Sequence, residues 1–425
     1  MKKSICVVGL GYIGLPTSVM FANHGHRVHG VDVNEKAVEG IRNKKLHIEE
    51  NGLQERLNEA IDSGMMTVST TPEKADVYIL AVPSPIKADK TAEMKYIESA
   101  SESIVPYLEK GNLVVLESTV PPRTVQDVVI PKLIASGLEI GTDLYVSHSP
   151  ERVIPGRVFE ELISNDRIIG GVNEISSQMT SDLYRSFVKG QMHETDDTTA
   201  ELVKVMENTY RDVNIALANE LAKISGEIGV DVWEAIRLAN FHPRVNIHQP
   251  GPGVGGHCIA VDPWFLVELK PDLAQIIHLS RQTNDGMPAY TAKTTKNIVK
   301  QAGTENGKVA VLGLAFKGNI DDMRESPSID VINEMKAHEL VVKAYDPHIH
   351  VNNIDDQVQT MDDALTGASI IVVLTNHDEF KQLNPEEVAD KMSARIIFDT
   401  KNCIDRSKWE EAGFDVHILG DSKNQ

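Results

Sequence analysis

The chain opens on a short apolar run, Ser4 to Val8, that stops at Gly9. Such a run reads as a buried strand of a parallel sheet, where both faces of the strand are covered. Ile13 to Asn23 then takes a helical period, Arg27 to Asp32 is a second strand closing on an acid, and Asn34 to Arg42 is again helical. Val77 to Val82 and Leu113 to Leu116 are further apolar runs, each followed by a loop containing proline. Strands alternating with helices predict a doubly wound parallel sheet. From about Thr195 to Asn240 the period stays helical, with Leu202, Val205, Met206, Tyr210, Val213, Leu217, Leu221 and Ile224 in register and no Pro or Gly before Gly226. That stretch is far longer than the roughly 11–12 residues of an average helix. Its apolar stripe suits a domain spine or a dimer seam, and a core helix between two domains would carry the same pattern. A glycine-rich loop, Gly251 to Gly256, follows Pro250; short helical stretches run to about Gln301.

At Lys308 to Leu312 the alternation begins again, and in outline the chain repeats itself. Val8-Gly9-Leu10-Gly11 has a counterpart in Leu312-Gly313-Leu314-Ala315, and Val31-Asp32 in Tyr345-Asp346. Asp76 to Pro83 resembles Ala368 to Thr375, and Val114 to Ser118 resembles Ile396 to Thr400. Four landmarks in one order predict an α/β chain with two Rossmann-like doubly wound domains. These would span 1–195 and 304–425, joined by an all-helical domain with a long helix over 196–303.

Composition narrows the partners. Forty-two Lys and Arg against 62 Asp and Glu give a net charge of -20. That argues against nonspecific nucleic-acid binding and against an anionic membrane surface. Hydrophobic residues at 41% and charged residues at 24% belong to a globular rather than a disordered chain. Three cysteines cannot build a disulfide framework. With no secretory signal and no apolar segment near 18 residues, a cytoplasmic protein is expected.

Gly9-Leu10-Gly11-Tyr12-Ile13-Gly14 is G-x-G-x-x-G directly after a strand and opening a helix. The first glycine allows the tight turn, the second lets a pyrophosphate approach the backbone, and the third lets helix and strand pack closely. Asp32 closes the next strand, where a carboxylate accepts from ribose hydroxyls and repels a 2′-phosphate, so NAD is the expected cofactor. Cys258 stands in Gly255-Gly256-His257-Cys258-Ile259-Ala260-Val261-Asp262-Pro263. It is either a packed small hydrophobe or a nucleophile, and a nucleophilic thiol in an NAD enzyme can trap an aldehyde. His257 beside it hints at a metal pair, but adjacent residues rarely share one tetrahedral site and no zinc-ligand spacing occurs, so no metal is expected. Cys6 and Cys403 read as structural.

Lys204 and Asn208 are four apart and share a helix face, where an ammonium and an amide can hold an oxyanion or a water. Salt bridges from Glu201 or Glu207 to Lys204 are the structural alternative. Thr119, in Glu117-Ser118-Thr119-Val120, and Glu151, in Ser149-Pro150-Glu151-Arg152, follow apolar runs. Ligands bind at the carboxyl ends of parallel strands, so Thr119 can orient a water and Glu151 can act as a general base; both also suit simple turns.

Taken in order, the G-x-G-Y-x-G opening, P-E-R-V-x-P-G, K-x-x-x-N on a long helix, H-P-R-V-N-I, P-G-P-G-V-G-G-H-C and G-L-A-F-K-G-N-I-D-D-M-R-E-S-P resemble the UDP-glucose/GDP-mannose dehydrogenase family of nucleotide-sugar 6-dehydrogenases. The resemblance runs from Ile5 to about Ile404. It implies an N-terminal NAD domain, a central domain built on a dimerising helix, and a C-terminal UDP-binding domain. It implies oxidation of a primary alcohol to a carboxylate with two NAD per sugar. Cys258 would be the nucleophile, with Lys204 and Asn208 holding the oxyanion of a thiohemiacetal and its thioester successor. Asp262 would assist proton transfer, Thr119 would position a water, and Glu151 would activate water for hydrolysis. Pro83, Ser84 and Thr119 would line the cofactor with the glycine turn, and Arg324 would reach its pyrophosphate. Glu151, Arg152, Val153, Lys204, Asn208, Gly255, Phe316 and Lys317 would contact the nucleotide sugar, and Arg244 would reach the substrate of a neighbouring subunit.

One departure from the family pattern bears on specificity. UDP-glucose dehydrogenases carry P-E-F-L-x-E where this chain has Pro150-Glu151-Arg152-Val153-Ile154-Pro155. The resemblance is accordingly to the N-acetylhexosamine branch. UDP-N-acetyl-D-mannosamine is the expected substrate, UDP-N-acetyl-D-glucosamine the alternative and UDP-glucose the more distant one. The product would feed a surface polysaccharide. Two rivals differ in kind: a two-electron dehydrogenase of the 6-phosphogluconate or 3-hydroxyacid type, and a nucleotide-sensing protein without catalysis. The first has no use for Cys258 or a second nucleotide domain; the second needs none of Thr119, Glu151, Lys204, Asn208, Cys258 and Asp262.

Overall fold

The computed structural model describes residues 2–48, 50–154, 156–256, 258–304, 307–350 and 354–421. The chain divides into two compact units, one of Met1–Glu207 with Trp264–Lys270, the other of Asn208–Pro263 with Pro271–Gln425.

The first unit is built on strands β1 (Ser4–Val8), β2 (Arg27–Val31), β3 (Met66–Ser69), β4 (Val77–Leu80), β5 (Asn112–Leu116), β6 (Leu144–His148), β7 (Arg167–Gly171) and β8 (Met192–Asp196). They form one sheet in the order β3-β2-β1-β4-β5-β6-β7-β8. Neighbours run parallel except β6 and β7, where Ser147 pairs with Gly171 in the antiparallel sense. The apolar runs are unbroken because successive side chains leave opposite faces and both faces are covered. Ile5, Val7, Ile79, Leu113 and Val115 join a core with Leu15, Val19 and Phe21. Cys6, Val8, Tyr78, Leu80, Val114 and Leu116 join another with Ile97, Ile104 and Val129. Each such side chain contributes about 1.5–3 kcal/mol by leaving water. Sequence periodicity does not predict β8, because it is an edge strand and its residues are polar and largely exposed.

The second unit holds β9 (Lys308–Leu312), β10 (Val341–Tyr345), β11 (Ala368–Val373), β12 (Ile396–Asp399) and β13 (Asp415–Ile418), all parallel, in the order β10-β9-β11-β12-β13. That order reproduces β2-β1-β4-β5-β6 of the first sheet. The repeat extends to the turns. Gly9 (φ +97) donates its N–H to Val31 at 2.8 Å, and Gly313 (φ +103) donates to Tyr345 at 2.9 Å. Asp32 accepts from the Leu10 N–H at 2.9 Å, and Asp346 from Leu314 at 2.7 Å.

The helical stretch seen in the sequence is two helices. The first runs Asp197–Ile228, straight through Gly226. It ends at Gly229, whose φ of +77 is left-handed, and Asp231 caps a second helix, Val232–Ala239. No helix among the described residues is long and apolar enough to cross a membrane.

Candidate active site

The glycine turn is shaped by close approach. A Cβ on Gly9 would lie 2.5 Å from the Ala81 carbonyl oxygen, and one on Gly14 would lie 1.8 Å from that of Gly9. Gly14 begins the buried helix Gly14–Asn23, so helix and turn touch through backbone alone. A Cβ on Gly11 would meet nothing within 4 Å. Open space over the middle glycine, beside a helix N-terminus, fits a pyrophosphate. Tyr12 and Ile13 complete the turn, half-buried. Asp32 accepts from Leu10 and Asn34 N–H groups, and a carboxylate with up to four acceptor sites retains room for ribose hydroxyls. The residues present therefore fit NAD.

Pro83 and Ser84 follow β4, and Thr119 follows β5. The Ser84 hydroxyl donates to the Thr119 carbonyl, joining the two loops at the carboxyl edge of the sheet. Glu151, in the loop after β6, is buried. Its Oε1 accepts from the Arg152 N–H at 2.6 Å and its Oε2 from Arg167 Nη1 at 3.0 Å. Arg167 also donates to Glu117 Oε1 at 2.6 Å and Ser149 Oγ at 2.8 Å. Burial pushes Glu117 up to about 7, with Glu151 adding to the rise while Arg167, Tyr184 and Thr17 oppose it. His148, also buried, is pushed down to about 3 by burial and, less strongly, by the charges of Arg167 and Lys204. Sequence reasoning missed Arg167 and Tyr184 and gave Glu117 no role. The available signal was an arginine opening an otherwise apolar strand, Arg167-Ile168-Ile169-Gly170.

The salt-bridge alternative for Lys204 does not hold. Glu207 pairs with Arg152 at 2.6 Å, and Glu201 accepts from the Arg123 and Val125 N–H groups. Among the described residues Lys204 forms no ion pair. Arg152 is therefore clamped to Glu207, while Val153 is half-buried beside it. One turn beyond Lys204, Asn208 donates to Asp262 Oδ2 at 2.6 Å, both side chains buried. Asp262 begins the helix Asp262–Leu269, and its N–H donates to the Cys258 carbonyl at 2.8 Å. Cys258 is exposed, so the packed-hydrophobe reading does not hold. The other thiols are unsuited to chemistry: burial pushes Cys6 up to about 12, and burial with the neighbouring Asp399 raises Cys403 as well. His257 and Pro155 lie outside the described residues.

The glycine loop before Cys258 is pressed onto the second sheet's turn. A Cβ on Gly256 (φ +84) would fall 2.9 Å from the Phe316 ring, and one on Gly255 would fall 2.5 Å from the Glu325 carbonyl oxygen. Phe316 is half-buried and Lys317 exposed. Arg324 is held by Asp322 through two bonds, at 2.9 and 2.7 Å. Arg244 is exposed. His348, His377 and Glu379 come close together, but both His377 nitrogens are engaged, Nδ1 with the Asn319 N–H and Nε2 with Asp346.

Comparison with known proteins decides the family. The sequence matches three successive domains of one family, the UDP-glucose/GDP-mannose dehydrogenase family: its NAD binding domain over residues 3–188, its central domain over 198–286 and its UDP binding domain over 310–406. The chain belongs to the UDP-glucose/GDP-mannose dehydrogenase family. This member is an NAD-dependent nucleotide-sugar 6-dehydrogenase. It is 48% identical to the UDP-N-acetyl-D-mannosamine dehydrogenase of Methanococcus maripaludis, over 98% of this chain and 97% of that one. It is 43% identical to an NDP-N-acetyl-D-galactosaminuronic acid dehydrogenase of Ralstonia solanacearum, over 94% of this chain and 96% of that one. The structure of the UDP-D-ManNAc dehydrogenase of Pyrococcus horikoshii superposes with a TM-score of 0.93 at 40% identity, over 99% of both chains.

Proposed function

We propose that the protein oxidises UDP-N-acetyl-D-mannosamine at C6 to the uronate through a covalent Cys258 intermediate. The observation that carries the reading is the Asn208–Asp262 hydrogen bond beside Cys258. It joins the two motifs the chemistry needs, K-x-x-x-N and C-x-x-x-D, and no binding-only protein requires it. The substrate rests on the names of the relatives and on Arg152 in place of an aromatic residue.

Bound NAD supplies the hydride acceptor, once for each of the two oxidations. The chain's residues do the rest. The Cys258 sulfur bonds to the aldehyde carbon C6, and the oxyanion so formed takes a proton; Lys204 and Asn208 stabilise that oxygen. This adduct keeps a reactive aldehyde from escaping between oxidations. After the second oxidation C6 is a thioester. Glu151 takes a proton from water as the water oxygen bonds to C6; the C–S bond breaks and its electron pair leaves with sulfur. Asp262, anchored by Asn208, handles the proton at the C6 oxygen, and Thr119 orients water.

The same reading gives the 1–195, 196–303 and 304–425 segments the roles of NAD binding, dimerisation and UDP-sugar binding. Phe316, Lys317 and Gly255 would meet the nucleotide sugar, Arg324 the cofactor, and Arg244 a neighbouring subunit's substrate. Three free thiols suit a reducing compartment, so we place the enzyme in the cytoplasm, supplying a surface polysaccharide.

The test is NADH yield with limiting UDP-N-acetyl-D-mannosamine and, separately, with the N-acetylglucosamine, N-acetylgalactosamine and glucose nucleotides. Two NADH per sugar with the mannosamine nucleotide alone is expected, and no more than one with Cys258→Ala, which can make the aldehyde but not the thioester. Two with another sugar moves the specificity, and one per sugar removes the covalent mechanism.

A further inference from the structure

Arg167 opens β7, the strand that turns back along β6. Its three nitrogens reach three different groups: Nε to Ser149, Nη1 to Glu151 and Nη2 to Glu117. Tyr184 donates its hydroxyl to the same Glu117 oxygen at 2.8 Å, and its ring lies 3.9 Å from the guanidinium carbon. Almost nothing here is wet: the side chains of Arg167, Glu117 and Glu151 are 5%, 0% and 8% exposed. One positive charge thus serves two carboxylates in a low-dielectric space.

Stability does not ask for this arrangement. Buried ion pairs barely repay their desolvation, and apolar residues of the same volume usually hold a fold as well. What the cluster supplies is orientation. Glu151 is the carboxylate nearest the surface of the three-residue array, and both its oxygens are fixed, one by Arg167 and one by the Arg152 N–H. Each oxygen keeps a further lone pair for a water proton. Glu117 faces inward and is fixed by Arg167 and Tyr184. With its titration pushed up to about 7, it can surrender the surplus negative charge of the trio near neutrality.

We propose that Arg167 is the positioning residue for Glu151 in thioester hydrolysis, with Glu117 as the counter-carboxylate that holds the guanidinium in place. The inference rests on the reading of Glu151 as the hydrolytic base. In the step concerned, water gives a proton to Glu151, its oxygen bonds to C6, and the C6–S bond breaks toward Cys258. Arg167 touches none of the reacting atoms and acts only through the carboxylate it aims.

The experiment is rapid-mixing NADH formation with excess NAD and UDP-N-acetyl-D-mannosamine, with mass spectrometry of the acid-quenched enzyme. Arg167→Met should still make two NADH per active site at nearly the wild-type rate, then turn over on the order of 10²-fold more slowly, the lower end of what a general base contributes. The quenched protein should carry the acyl group on Cys258. Arg167→Lys, which keeps the charge but loses the fork, should fall between. A merely structural role would shrink burst and steady state together, and that result overturns the proposal. Glu151→Gln separates the two layers. If it too fails to accumulate acyl-enzyme, the reading of Glu151 is wrong; if it accumulates and Arg167→Met does not, Arg167 is not its positioning residue. Arg167→Met strands two carboxylates, so Glu117→Gln/Arg167→Met, which leaves one, is run beside it and should show the same burst and slow phase. Proportional loss in that variant counts against the proposal as well.

Discussion

Gly11 and Gly14 are three residues apart in one turn, yet they serve different ends. The Cβ of Gly14→Ala would lie 1.8 Å from a backbone oxygen that cannot move without opening the turn. Overpacking of this kind costs about 1–3 kcal/mol or more, so thermal unfolding should fall to clearly lower temperature. Gly11→Ala meets only open space and should leave stability within about 0.5 kcal/mol. It should still weaken NADH binding on the order of tenfold in a fluorescence titration, about 1.4 kcal/mol, because the methyl group would occupy the space proposed for the pyrophosphate. Unchanged NADH affinity in Gly11→Ala would take the cofactor away from this turn. Glu117 gives a second test at the same scale. Its folded-state titration, about 7, lies above its ordinary value of 4.5. The folded state therefore binds the proton more tightly, and this group's contribution is full below about 4.5 and lost as pH rises through about 7. The melting temperature of Glu117→Gln minus that of wild type should accordingly climb between about pH 5 and about pH 8. A flat difference would mean that Glu117 is ionised throughout.

Elements carry the next level of constraint. The helix Asp197–Ile228 does more than span its length, because one of its residues ties down the loop that leads to Cys258. Asn219 accepts from the Gly251 N–H at 2.9 Å and donates to Asn284 at 2.9 Å. Asn284 donates in turn to Asp212 at 2.8 Å, and Asp212 pairs with the buried Arg281. Gly251 begins the glycine loop, and seven residues later stands Cys258. Removing Asn219 leaves two buried polar groups without partners, at about 1–3 kcal/mol each. Asn219→Ala should lower both the melting temperature and kcat, with NADH affinity unchanged, since the glycine turn belongs to the other unit. A stable Asn219→Ala enzyme with wild-type kcat would show that the loop holds its own shape.

For the whole molecule, the long helix leaves a row of large apolar side chains uncovered. Leu202, Met206, Tyr210, Leu217, Ile224 and Ile228 are between 36% and 68% exposed and recur every four or seven residues, so they share one face. The opposite side is buried at Val205, Asp212, Ala216 and Ala222. A continuous apolar face of this length is what a second subunit would cover. Met206→Glu/Leu217→Glu should therefore turn a dimer into a monomer by light scattering at micromolar concentration. A wild-type monomer under the same conditions would remove the dimer from the proposed function.

Much of this protein was legible before folding, for a physical reason: the features involved are local. An unbroken apolar run already states that both faces of a strand will be covered, and a glycine before a tight turn already states a positive φ. Because the second sheet reuses the same local devices, its strands β9 to β12 and its Gly313–Asp346 turn were legible too, while β13 was not. The polar edge strand β8 was not, since one exposed side leaves no apolar pattern. Candidate residues such as Asn208 and Asp262 could be named from the sequence one by one, but the connections between them could not. Asn208 meets Asp262 across 54 residues, and Arg167 reaches Glu117 across 50. Among the described residues Lys204 forms no ion pair, and Glu201 and Glu207 are claimed by partners elsewhere in the fold. Such pairings depend on which strands neighbour each other and which loops a helix packs beneath. The tertiary structure alone decided them, because a buried charge takes its partner from whatever the packed sheet brings within three ångströms.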